Sequence, residues 1–238
     1  MSDSGKTLPV GGASRGEVED FLRRVAAAPK GPATGRRGRL IFALDATASR
    51  QPSWDHACEL QREMFEVTAA LGGLDIQLVY FRGFGECKAG PWLASAADLA
   101  RRMAGMECLA GHTQWCRVLG HAANEARKNR IGALVCVGDA FEEEIDRLGA
   151  LAGELGLLGV PAFCFQEGGD AQARLAFQQV AKLTRGAYCS FDAGSARQLR
   201  DLLSAVAVYA AGGLAALADF GRSRGGAARL LTDRMAQP

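Results

Sequence analysis

The sequence predicts an α/β protein, a doubly wound, mainly parallel sheet with helices on both faces. Two observations carry that expectation. Short, nearly continuous apolar runs stand at 39–45, 133–138, 162–166 and 187–191, the pattern of strands buried on both faces. Stretches with apolar residues at three- and four-residue steps lie between them, and strands alternating with helices build parallel sheets. Composition points the same way. With 238 residues, 48% of them apolar and 23% charged, the chain suits one domain with additions and can bury a substantial core.

Ser14-Arg-Gly-Glu17 has the form of a capping box ahead of Val18, Phe21, Leu22 and Val25. A first amphipathic helix is therefore expected, ended by Pro29. Residues 29–38 are rich in proline, glycine and arginine and read as a linker. The expected division is an N-terminal extension at 1–37, a main domain at 38–220 and a tail at 221–238. Within the main domain, 53–72 places Ala57, Leu60, Met64, Val67 and Leu71 on one helical stripe. Residues 76–81 alternate as a strand. The following 82–93, with Gly83, Gly85, Gly90 and Pro91, reads as an irregular loop or a short edge hairpin. Further helices are expected at 95–106, 113–129, 142–157, 170–184 and 195–218, the last opened by a capping box at Ser195-Ala-Arg-Gln198. Beyond 221 the chain reads as loosely ordered before a short final helix.

Charge and cysteine usage narrow the function classes. A net charge of +2 gives no basis for binding a polyanion. The basic runs Arg36, Arg37, Arg39 and Arg127, Lys128, Arg130 read as solvated surface, so no nucleic-acid partner is expected. The polar start, Met-Ser-Asp-Ser-Gly-Lys, lacks the apolar core of a secretory signal. Seven cysteines, with Cys136, Cys164 and Cys189 inside strand candidates, fit buried free thiols in a reducing compartment. A cytoplasmic location follows as the expectation. Residues 202–218 carry no charge over seventeen positions, the lower edge of membrane-spanning length. Alanine and glycine dominate the stretch, so a packed helix is expected there rather than a membrane anchor.

The chemistry concentrates at 38–49. An apolar run ends on Asp45, Thr47 and Ser49 follow at alternate positions, and Pro52 then opens a helical pattern. The three oxygen-bearing side chains thus sit on a strand-to-helix turn at the carboxyl edge of the sheet, where open α/β sheets keep their sites. One carboxylate and two hydroxyls form an all-oxygen half-cage suited to a hard divalent cation. Alone, the spacing Asp-x-(Ser/Thr)-x-Ser occurs by chance in roughly one chain in ten of this length. Two further elements add to it. Gly111-His112-Thr113 ends a glycine-bearing loop, and Val135-Cys136-Val137-Gly138-Asp139 is a second apolar strand ending on an aspartate. If the two strands are parallel neighbours, Asp45 and Asp139 emerge on one edge, within reach of Thr113.

With these residues the chain resembles the von Willebrand factor A family over about residues 38–210, in particular its intracellular bacterial type. Members of that family carry a metal-ion-dependent adhesion site made of Asp-x-Ser-x-Ser, a distant loop threonine and a strand-ending aspartate. The matching positions here are Asp45, Thr47 and Ser49, then Thr113, then Asp139. Thr47 stands where serine is commoner, and Ala140 follows Asp139 where glycine is usual, with Gly138 before it. The resemblance implies a bound Mg²⁺, with Mn²⁺ or Ca²⁺ as alternatives, and an open coordination position. A partner protein's Asp or Glu would fill it. It also implies a non-enzymatic interaction module, whose bacterial relatives often work beside ATPases or chaperone-type assemblies, and a last helix that can shift when the site is filled.

Other features compete with that reading. An Mg²⁺-dependent phosphohydrolase could use Asp45, but the haloacid-dehalogenase-like pattern needs a second Asp where Thr47 stands. A metal-free structural scaffold is the third reading, with Asp45 and Asp139 merely capping helices. Gly12-Ala-Ser14-Arg-Gly16 matches a hydrolase elbow in letters but lies in a polar lead-in, not on a strand end. Gly5-Lys6-Thr7 lacks the upstream glycine of a phosphate loop. Cys108, His112, Cys116 and His121 lack the tight Cys-x₂₋₄-Cys knuckle of structural zinc. Glu142, Glu143 and Glu144 are expected to sit favourably at the N-terminus of the 142–157 helix, with an acidic rim beside the metal edge as the alternative. Trp54, Phe84, Trp92 and Trp115 could all flank the metal edge; most are expected to be packing residues, and one or two exposed there would suit an interface.

Overall fold

A computed structural model of the chain describes residues 15–27, 37–53, 73–192 and 196–223. Its elements are α1 (Arg15–Ala27), β1 (Gly38–Asp45), a 3₁₀ turn (Ala48–Ser53), β2 (Leu74–Arg82), β3 (Glu86–Leu93), α2 (Ala96–Ala104) and α3 (Trp115–Lys128). They continue with β4 (Ala133–Gly138), α4 (Ile145–Leu157), β5 (Ala162–Glu167), α5 (Ala171–Leu183), β6 (Ala187–Phe191) and α6 (Ala196–Ser223). The expected helix across 54–72, with Trp54, lies outside the described residues. So do the capping residues Ser14 and Ser195, the 29–36 linker and the tail after 223.

The six strands form one sheet in the order β3-β2-β1-β4-β5-β6. All neighbours are parallel except β3, which runs antiparallel to β2. The sheet is thus the doubly wound one expected, with an antiparallel edge. Alternation within each strand feeds two cores. Leu40, Phe42 and Leu44 face a layer of α1, α2 and α6, while Ile41 and Ala43 face α3, α4 and α5. Both faces being covered explains why the strands read as continuous apolar runs.

The 82–93 segment turns out to be a full hairpin arm rather than an irregular loop. Its alternation is hidden because β3 pairs on one side only and carries Gly90 and Pro91. A register shift between Gln77 and Val79 marks the pairing, and Gln77 Nε2 donates across it to the Gly90 carbonyl at 2.9 Å.

The amino ends of the strands explain the alanines at 210 and 211 in the charge-free stretch. Residues Leu202–Ala211 of α6 are buried. A Cβ on Gly38 would lie 2.3 Å from the Ala210 carbonyl oxygen, and one on Gly132 2.8 Å from the same atom. Helix backbone and sheet backbone therefore touch, which only small residues allow. The two segments of α6 meet at Gly213, whose φ of 69° and ψ of −160° break the helix. Among the described residues no helix is long and apolar enough to cross a membrane. At the far edge Phe21 of α1 packs on Phe163 and Phe165, with ring centroids 6.1 and 5.1 Å away.

Candidate functional site

The order of the strands reverses between β1 and β4, and a doubly wound sheet opens a crevice at the carboxyl ends there. Asp45 ends β1. Its side chain is fully buried, and its Oδ1 accepts the Thr47 backbone N–H at 2.8 Å, a local turn that aspartate favours. Thr47 is buried and Ser49 exposed, with their hydroxyl oxygens 3.1 Å apart. The Arg50 N–H donates to the Thr47 carbonyl at 3.0 Å and closes the 3₁₀ turn.

Leu44 pairs with Val137, so Asp45 stands opposite Gly138 and Asp139 follows one residue further along β4. The residue opposite Asp45 has to be glycine. A Cβ at Gly138 would lie 2.5 Å from the Trp115 ring and 3.1 Å from the Asp45 Cβ. Thr113 is brought to the same edge by a reciprocal pair of bonds with the loop after Asp139. The Thr113 N–H donates to Glu142 Oε2 at 3.1 Å, and Thr113 Oγ1 accepts the Glu142 N–H at 2.9 Å. Thr113 itself is buried in the loop before α3, which starts two residues later than expected.

The glutamate run does something other than expected. α4 begins at Ile145, and Glu144 at its N-cap makes no side-chain cap bond. Glu143 instead reaches across to α3, accepting the N–H of Trp115 through one oxygen and that of Cys116 through the other, the latter at 3.0 Å. These are the orphan donors of a helix start, and α3 has no side-chain cap of its own. Glu143 thus caps the neighbouring helix, and Glu142 fastens the Asp139 loop to the Thr113 loop.

At the centre, two carboxylate oxygens lack hydrogen-bond partners among the described residues: Asp45 Oδ2 and Asp139 Oδ1, both buried. Buried polar atoms are nearly always bonded, and each exception needs an explanation. Burial pushes the Asp45 carboxyl up to about 6, helped by the neighbouring Asp139 and opposed by the Thr47 hydrogen bonds and the Arg50 charge. Arg50 is itself buried and forms an ion pair with Glu167, the last residue of β5. Because Gly138 pairs with Gln166, Asp139 and Glu167 are the next residues along adjacent strands. Asp139 and Glu167 thus stand opposite each other, and Asp45 lies one residue back on β1. Sequence reading missed Arg50 and Glu167. An acid ending a third apolar run was the signal available for Glu167, whereas Arg50 in a polar turn looks like surface.

The rim beside Thr113 is held from below. The Gly83 carbonyl accepts the His112 N–H at 3.3 Å, the Gly83 N–H donates to Leu109 at 3.4 Å, and Leu109 N–H donates to Ala46 at 3.1 Å. Gly111 is the close approach in this strap, since a Cβ there would meet the Gly83 carbonyl oxygen at 2.0 Å. On this support Phe84 stands 82% exposed, its ring packed edge-on against His112 at 5.2 Å. Trp92 and Trp115, the other rim candidates among the described residues, are structural. Trp115 is buried between Phe81 and Phe177, and Trp92 donates through Nε1 to Glu125 at 3.1 Å. The cysteine and histidine residues of 108–121 are dispersed. His112 is exposed, Cys116 is buried against the α3 side of the core, and His121 Nε2 lies 2.8 Å from Gln77 Oε1. Among the described residues no three His, Cys, Asp or Glu side chains come together as metal ligands. Any ion at the Asp45 edge would rest on two carboxylates with hydroxyls.

No protein-family model matches the chain, and no curated protein matches it by sequence. Solved structures match its fold. A von Willebrand factor type A protein from Catenulispora acidiphila superposes with a TM-score of 0.58 at 14% identity, over 72% of this chain and 43% of that one. The SpRpn10 VWA domain gives 0.56 at 10% identity, over 73% and 95%. Proximal thread matrix protein 1 from the mussel byssus, in a form with a zinc-occupied MIDAS motif, gives 0.58 at 12% identity, over 74% and 47%. The chain thus spans less than half the length of two of these three proteins. It has the von Willebrand factor A fold.

Proposed function

We propose that the protein is a divalent-cation-dependent protein-interaction module. Asp45, Thr47, Ser49, Thr113 and Asp139 would hold the ion, with Mg²⁺ the first candidate, and a partner's Asp or Glu would complete its coordination. The observation that carries this reading is the pair of orphaned oxygens, Asp45 Oδ2 and Asp139 Oδ1, at adjacent strand ends beside three hydroxyls. An all-oxygen set suits Mg²⁺, which takes one or two carboxylates and leaves other positions to neutral ligands. The zinc-occupied site of the mussel protein, on the same fold, supports the assignment of this edge to a metal. Two carboxylates and neutral hydroxyls leave coordination positions to water, and a partner's carboxylate can take one of these. Phe84 beside the edge offers the exposed, rigidly supported aromatic that interfaces use as an anchor.

The protein's own contribution is positional. Thr47 N–H orients the Asp45 carboxyl, Gly138 lets the two aspartates approach, and Glu142 fixes Thr113. The ion, when bound, supplies Lewis acidity toward a carboxylate. Thermal unfolding with and without Mg²⁺ or Mn²⁺ tests the reading. Wild type is expected to be stabilised by the ion, and Asp45→Ala and Asp139→Ala are not. Equal shifts in all three proteins, or none in wild type, would reject it. Affinity capture with and without chelator then asks whether partner binding follows the ion.

A further inference from the structure

A buried cation already serves the edge at which the divalent ion is proposed. Arg50 follows the last hydroxyl of the loop, its side chain is 3% exposed, and it pairs with Glu167. Strand register puts Glu167 opposite Asp139, and it puts Asp45 opposite Gly138, one residue before Asp139. The arginine is therefore buried among the carboxylates that end β1, β4 and β5, paired with Glu167 and close enough to Asp45 and Asp139 to interact with both. Asp45 and Asp139 both act on its charge, and that charge acts back on Asp45. A guanidinium stays protonated in this setting, so the positive charge is permanent.

We propose that Arg50 is the built-in counter-cation of the site, which holds the strand-end carboxylates together without metal and weakens the hold of Asp45 and Asp139 on a divalent ion. Glu167 is its partner in this role: by drawing the guanidinium toward β5 it tempers the repulsion an incoming ion meets. The inference rests on the proposed metal reading and concerns how tightly the ion is held. Like charges a few ångströms apart in a poorly solvated site repel strongly, so removing the arginine charge should tighten the ion on the order of tenfold or more. The same charge favours the approach of a partner's carboxylate, so the side chain would trade ion affinity for partner affinity.

The test is a titration of Mn²⁺ alone, read as free Mn²⁺ by electron paramagnetic resonance, on the full chain. Wild type is compared with Arg50→Met, Glu167→Gln and the double variant R50M/E167Q, each checked for folding by circular dichroism. The expected order is tightest binding in Arg50→Met, then the double variant, then wild type, with Glu167→Gln weakest. The double variant removes both charges of the pair. It keeps the test open if Arg50→Met alone fails to fold. Binding gained in either arginine variant where wild type shows none supports the proposal in its strongest form. Measurable wild-type binding that loss of Arg50 leaves unchanged or weakens overturns the role of Arg50 and leaves the metal site standing. No Mn²⁺ binding in any of the four proteins overturns both.

Discussion

Thr184 and Asp45 are equally buried, 1% and 0% exposed, at opposite ends of the same sheet, and the chain treats them in opposite ways. At the amino end Thr184 Oγ1 donates to the Val180 carbonyl at 2.8 Å and accepts the Ala162 N–H at 3.0 Å. At the same end of the sheet Gly38, Gly132 and Gly186 bring backbone against backbone. At the carboxyl end Asp45 Oδ2 and Asp139 Oδ1 are left without partners among the described residues, and Arg50 and Glu167 bring further charge in beside them. One end is close-packed and satisfied. The other carries polar cost that folding alone does not recover, the usual sign of an edge kept for a ligand.

The largest effect should come from filling the packed end. A leucine at Gly38 would drive its Cβ to 2.3 Å from the Ala210 carbonyl, against backbone that no side-chain rotation can relieve. Gly38→Leu is expected to lose several kcal/mol, above the usual ~1–3 kcal/mol of overpacking, and to yield little folded protein by circular dichroism. Tolerance of this change would mean that α6 is free to move off the sheet, and the contrast between the ends would fail.

Next comes Asp45, with the opposite sign. Burial raises its carboxyl to about 6, above its unfolded value near 4. A raised acid contributes stability that is present below the unfolded value and lost as pH rises through the folded one. In chelator, wild type should therefore lose up to about 3 kcal/mol between pH 4 and pH 7 relative to Asp45→Asn. Urea unfolding of both proteins across that range measures the difference. A constant gap would show that Asp45 carries no burial cost.

The cation response should be next in size and should depend on pH in the reverse direction. The ion and the proton compete for the Asp45 carboxylate, so stabilisation by Mg²⁺ is expected to be fuller at pH 7.5 than at pH 5. An ion at a hundred times its dissociation constant stabilises by about 2.7 kcal/mol. Thermal shifts at the two pH values, with Asp45→Asn as the flat control, decide it.

Much of this contrast was legible in the sequence, and what was missed has physical reasons. Strands buried on both faces write themselves as apolar runs, so β1, β4, β5 and β6 and the aspartates at the ends of β1 and β4 could be placed within a residue or so. The sequence is open between loop and hairpin at the antiparallel β3, because a one-sided edge with Gly90 and Pro91 keeps no regular alternation. The ion pair Arg50–Glu167 joins residues on separate strand ends, and the bonds from Glu143 to α3 cross between elements. Local spacing shows neither. Thr184 was invisible for the same reason, since its value lies in an amide 22 positions away.

The smallest effect tests that satisfied residue. Thr184→Val keeps nearly the same shape and removes only the hydroxyl. The Ala162 N–H then loses its acceptor inside the protein, and a buried orphan donor costs about 1–3 kcal/mol. Chemical unfolding should show that loss, while the Mg²⁺-induced thermal shift stays as in wild type, because nothing at the carboxyl edge has changed. If the shift fell along with stability, the two ends would be coupled through β5, and the strand that carries Glu167 would transmit packing at one end to charge at the other. An unchanged shift keeps them separate, with rigid packing at the amino ends supporting carboxylates that the fold itself does not satisfy.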